Sequence, residues 1–172
     1  ILGEALPAAL EAALLRLART EFIGQNDFYH ALTGYGAGGN VPLARHINAS
    51  LVALALGERC GYPDWQRVVD HTCDNVRQYL RRGCDELGFP YEGTGYGAQV
   101  MQMLFLFCLV LRQVKWHDNL LQSEPLLKLI PPAYQQMMFP DGSYCATTND
   151  SGHRAPVSLW WFLLAAKAWD RP

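Results

Sequence analysis

The chain has 172 residues, half of them hydrophobic and 17% charged, which suits one domain burying roughly 70% of its unfolded surface. That excludes a disordered regulator, a disulfide mini-protein and a long repeat array. Fourteen Lys and Arg, scattered and set against sixteen Asp and Glu, give no basic footprint for displacing counterions from phosphates, so nucleic acid is not an expected partner.

The opening stretch carries Glu4, Glu11 and Arg16 among its apolar residues, so it does not read as a signal peptide. The first residue is not Met, and a segment of a longer protein is expected. Residues 4–20 are Ala-rich with Leu6, Leu10, Leu14 and Leu17 in line, the pattern of an outer amphipathic helix. A Gly-rich loop follows, Tyr35-Gly36-Ala37-Gly38-Gly39-Asn40, and then an apolar helix over 43–59.

Asp64 is placed to cap the next helix, in which Trp65, Val68, Val69, Thr72, Val76, Tyr79 and Leu80 share one face. The loop Tyr91-Glu92-Gly93-Thr94-Gly95-Tyr96-Gly97 leads to a second apolar helix over 98–114. Pro125, Pro131 and Pro132 split residues 119–138 into two short helices. A third loop, from Asp141-Gly142-Ser143 to His153-Arg154, precedes a third apolar helix over 156–169. The apolar runs 100–111 and 155–166 are each about twelve residues, short of the roughly 20 a membrane span needs, and read as core helices.

The order is thus outer, inner, outer, inner, outer, inner, with inner helices starting about 55 to 58 residues apart. No alternating run survives beyond about four residues, so strands are not expected. The fold expectation is all-α, one domain over 1–172, an (α/α) hairpin array forming a partial toroid of about three hairpins. In such an array the inner helices run one way and their polar loops meet at one rim. Each inner N-terminus offers unpaired N–H groups and about half a positive charge, which favours an anionic ligand. Tyr35, Tyr91, Tyr96 and Tyr144 offer flat faces with polar ends, and Asn40, Asn149, Asp150, His153 and Arg154 offer partners for sugar hydroxyls and carboxylates.

Five cysteines, Cys60, Cys73, Cys84, Cys108 and Cys145, show no C-x-x-C spacing and read as buried thiols. Of the five histidines, His30 reads as loop, His71 as outer surface and His117 as a partner of helix-end carbonyls. No His-x-x-x-His pair is present, and neither a metal nor another cofactor is expected.

Glu92-Gly93-Thr94-Gly95-Tyr96, before an apolar helix, resembles the Glu-Gly-x-x-Tyr loop of heparinase II/III-like and alginate-lyase-like polysaccharide lyases. Gly39-Asn40 ahead of Leu51-Val52-Ala53-Leu54-Ala55-Leu56, and Pro140-Asp141-Gly142 with Asn149-Asp150-Ser151, resemble further parts of that family. The resemblance implies an (α/α) toroid, a periplasmic or extracellular setting, and β-elimination on a uronate-containing polysaccharide.

Tyr96 would then be the acid and base, with Arg45, His46 or Arg154 stabilising its phenolate. His46 is the catalytic candidate for a family histidine that Gly39-Asn40-Val41 lacks; its other reading is a packed histidine bonded to an outer helix. Asn40, Tyr91, Glu92, Asn149, Asp150, His153 and Arg154 would bind substrate. Glu92 reads as orienting its loop or capping the following helix. Two other functions fit the same residues: a glycoside hydrolase using Glu92 and Asp150, or a non-catalytic carbohydrate-binding or scaffold segment. An open inner-helix edge would favour a homodimer.

Overall fold

The computed structural model describes residues 7–23, 26–34, 36, 38–140, 142, 144–145, 155–156 and 159–169. The all-α expectation holds. Helix α1 (Ala8–Leu17) runs straight into a π-helical turn, Ala18–Ile23, and α2 (Asp27–Thr33) follows. Then come α3 (Asn40–Leu56), α4 (Trp65–Gly83), α5 (Gly93–Gln113), the short α6 (Leu120–Ser123) and α7 (Ile130–Gln136), and α8 (Leu159–Ala168). A two-residue antiparallel pair, β1 (Tyr144–Cys145) with β2 (Ala155–Pro156), is the one sheet among the described residues.

Several boundaries differ from the sequence expectation. Helix α3 starts at Asn40 and not at 43, because Pro42 falls in its first turn, where a missing N–H leaves no bond unmade. It stops at Leu56, since Gly57 turns the chain at φ 56°, ψ −134°, a conformation that side chains disfavour. Helix α5 starts five residues early, at Gly93, so the Gly-rich motif is its first turn and not a loop. Gly97 belongs there for packing: a Cβ would run into the Tyr134 hydroxyl and the Pro90 ring. Residues 119–138 break into three pieces, with a 3-10 turn at Pro125–Lys128 between α6 and α7.

The long apolar helices lie side by side: α3 packs on α4 and α5, and α5 packs on α3 and α8. Their directions follow from named contacts. Asn40 at the start of α3 donates its N–H to Glu92, which precedes α5. Arg112 at the end of α5 reaches the carbonyls of Ala168 and Lys167 at the end of α8, at 2.6 and 3.1 Å. All three therefore run the same way. Helix α4 runs against α3, pairing Ser50 with Thr72 and His46 with Asn75.

Two kinds of packing hold this arrangement. Aromatic rings fill the α5–α8 side: Phe105 stacks on Trp161 with centroids 6.0 Å apart and planes at 9°, and Tyr134 and Trp169 meet those rings edge-on. Helix α5 is long and apolar enough to cross a membrane by length and composition, yet half of its most apolar window is buried in the protein, as in a core helix.

On the α4 side, Arg77 grips both carboxylate oxygens of Asp118 at 2.7 and 2.8 Å, with Glu124 at 2.9 Å and Asp74 at 3.1 Å. Cys60, Cys73, Cys84 and Cys108 are buried free thiols, as expected, and burial pushes Cys84 up to about 12, helped by Asp85 and Glu92. The Cys145 side chain lies outside the described residues.

Candidate functional site

The start of α3 and the start of α5 adjoin, and Glu92 is the hinge between them. Its Oε1 accepts the Asn40 N–H at 3.1 Å, so it caps α3, the preceding apolar helix, and not α5. A carboxylate at a helix N-terminus satisfies an orphan donor and complements the positive end of the dipole. The other oxygen, Oε2, is buried with no hydrogen-bond partner. Below it lies Tyr79, fully buried; burial, with Cys84 and Glu92 nearby, pushes its phenol up. No local pattern marks Glu92 as turning inward, because its partner is 52 residues away.

Two tyrosines of the motif face water at this end. Tyr91, just before α5, is 61% exposed, and Tyr96, on its first turn, is 43% exposed. Tyr91 is tied to α4 through its backbone, donating its N–H to the Gly83 carbonyl at 2.8 Å. The side chains can therefore meet a ligand while the main chain beneath them stays fixed. Asn40 meets Glu92, with Tyr91 beside Glu92 in the chain and Tyr96 on the first turn of α5. Asn149, Asp150, His153 and Arg154 lie outside the described residues, as do Tyr35 and the side chain of Tyr144.

His46 does not join them. It is 1% exposed, a turn and a half into α3, with Nδ1 3.1 Å from Asn75 Nδ2 on α4. The packed-histidine reading is the one the geometry matches. Burial, with His30 and Arg45 adding positive charge, lowers its pKa from 6.5 to about 4, so the ring is neutral at pH 7. Arg45 is likewise engaged, its guanidinium bridging both oxygens of the buried Asp27 at 3.1 and 3.3 Å.

Other histidines also differ from expectation. His30 belongs to α2, and His117 meets Asp70 at 3.2 Å instead of helix-end carbonyls. Asp70 also accepts the Trp116 indole N–H at 2.9 Å. Sequence reasoning missed Asp27 and Asn75, whose roles are to hold Arg45 and His46. Asn75 could have been noticed as a polar residue three positions from Thr72 on the apolar face of α4. Among the described residues no group of three His, Cys, Asp or Glu is placed to hold a metal ion.

Comparison of the chain with protein-family models, with curated proteins and with solved structures finds no match.

Proposed function

We propose that the end of the molecule where α3 and α5 begin binds a uronate-containing polysaccharide and cleaves it by β-elimination, on a partial (α/α) toroid. The observation that carries this reading is the Asn40 to Glu92 hydrogen bond, which sets two helix starts side by side and leaves Tyr91 and Tyr96 open to solvent above them. The common direction of α3, α5 and α8 supports it, since a toroid of this kind gathers its inner helix starts on one rim.

In this reading Tyr91 stacks on a sugar ring. The Tyr96 phenolate takes the proton α to the uronate carboxylate, a double bond forms between that carbon and its neighbour, and the 4-linked oxygen leaves with the proton Tyr96 returns. With Arg45 held by Asp27 and His46 in the core, the remaining candidate for steadying the phenolate is Arg154, which lies outside the described residues. The substrate carboxylate is met by donors other than the Asn40 N–H, which Glu92 already occupies.

Mixing the protein with a panel of uronate polymers should produce the ultraviolet absorbance of an unsaturated uronate. Tyr96→Phe should lose it while keeping the helical circular dichroism and the binding. No absorbance and no binding across the panel overturns the proposal.

A second reading, a carbohydrate-binding or scaffold segment without turnover, is favoured by the burial of His46 and the pairing of Arg45 with Asp27; calorimetric binding with no absorbance selects it. The hydrolase alternative asks Glu92 to face substrate beside Asp150, whereas Glu92 has one oxygen on Asn40 and the other buried. Self-association is part of the same proposal: Trp160 and Leu163 of α8 and Leu106 of α5 are exposed, and light scattering showing only monomer at high concentration removes it.

A further inference from the structure

We infer that the meeting point of α2, α3 and α4 is an acid-released latch, in which one amide group of Asn75 holds α2 and α3 together only while His46 is unprotonated. Asn75 is buried on α4, and its Nδ2 lies 2.8 Å from the Ala31 carbonyl of α2 and 3.1 Å from His46 Nδ1 of α3. The amide has two N–H bonds, and each goes to one of these acceptors.

The geometry leaves no alternative assignment. The Ala31 carbonyl can only accept, so the Asn75 atom facing it must be the nitrogen. His46 Nδ1 faces the same nitrogen and must therefore accept too, which places the ring proton on Nε2. Asn75 Oδ1 points the other way, toward Gly34, where a Cβ would sit 3.0 Å from it.

A proton on His46 Nδ1 sets N–H against N–H. Turning the Asn75 amide over to accept it would set Oδ1 against the Ala31 carbonyl. Either way one helix loses its tie, and a buried polar group left unpaired is costly.

The charged and titratable groups that bear on the ring oppose the proton as well. His30 comes from α2 and Arg45 from α3 itself, the latter held by Asp27 of α2. From α4, the neutral Asn75 and Thr72 meet His46, Thr72 donating to its carbonyl at 3.4 Å. Since α2 leads through Gly34 toward Asn40, releasing α2 frees the chain that feeds the start of α3. The latch stands whether or not the sugar-polymer reading does, because its test reads structure and not turnover.

The experiment follows amide exchange of α2 and α4, corrected for intrinsic rates, from pH 7 down to 4, together with the ring nitrogens of His46 by NMR. At pH 7 the ring should show the Nε2–H form. Between the free-histidine value of 6.5 and about 4, protection of α2 should fall roughly tenfold per pH unit, while α4 keeps its protection longer. His46→Gln, which does not titrate, should flatten the fall. An Nδ1–H ring at pH 7, α2 protection unchanged to pH 4, or an equal fall in His46→Gln would each overturn the latch. Should His46→Gln fail to fold, the ring form and the exchange profile of the unaltered chain decide alone.

Discussion

The two flanks of the apolar helix row are built from different chemistry. On one flank, α3 meets α4 through a thread of buried polar groups: Ser50 to Thr72 at 2.8 Å, Thr72 to the His46 carbonyl, and Asn75 to the His46 ring. On the other, α5 meets α8 through Phe105, Trp161 and Trp169, with Tyr134 closing from α7. Polar bonds in a dry interface add modest net stability but punish every wrong register, because a shifted partner is an unpaired one. Aromatic faces contribute more through burial and tolerate small slides. Thus the α3–α4 flank fixes alignment and senses protons, while the α5–α8 flank supplies bulk cohesion that pH leaves alone.

That contrast can be broken most forcefully at the ring cluster. Trp161→Ala removes a fully buried side chain and should cost about 3–5 kcal/mol by denaturant titration, with a loss that is the same at pH 7 and pH 5. A smaller effect comes from acid acting on the intact protein. The pKa of His46 is depressed by folding, from 6.5 to about 4; its contribution is therefore complete above 6.5 and drains away as pH falls toward 4. By pH 5 the loss amounts to about 2 kcal/mol, and His46→Gln should abolish it.

Ser50→Ala should cost about 1 kcal/mol, read as a lowered denaturation midpoint, since Thr72 keeps the His46 carbonyl as a partner. Smallest of all, Tyr91→Ala removes a mostly exposed ring and should leave stability within about 0.5 kcal/mol. If the proposed reading holds, its effect should fall on polysaccharide binding alone.

Sequence patterning made the helices legible because their burial follows a simple period. In α4, Val68, Val69, Thr72, Val76, Tyr79 and Leu80 are all buried, as their shared face implied. The Gly-rich motif misled at one point: glycines at 93, 95 and 97 suggest a loop, whereas Gly97 lies inside α5 because Pro90 and Tyr134 leave no room for a side chain. Such crowding comes from residues that are distant in the chain, and no local pattern reports it.

The same holds at the candidate site. Asn40 and Tyr96 could be placed at one end from the phase of the helices, but the inward turn of Glu92 depended on Asn40, far away in sequence. The withdrawal of His46 depended on Asn75 in the same way. Histidine one and a half turns inside a helix can face either a rim or a core, and only the neighbouring helix decides.

The stretch from Asp118 to Lys128 holds a four-residue helix and a single 3-10 turn, segments too short to persist by their own cooperativity. Its order comes from the burial of Leu120, Leu121 and Leu127 in the core together with Arg77, which meets three acids and is only 21% exposed in its side chain. Exchange that guanidinium for methionine and Asp74, Asp118 and Glu124 are left crowded with nothing to reconcile them. With its leucines still in the core, the stretch should loosen at Asp118 and Glu124 and be nicked there by protease faster than in the unaltered chain.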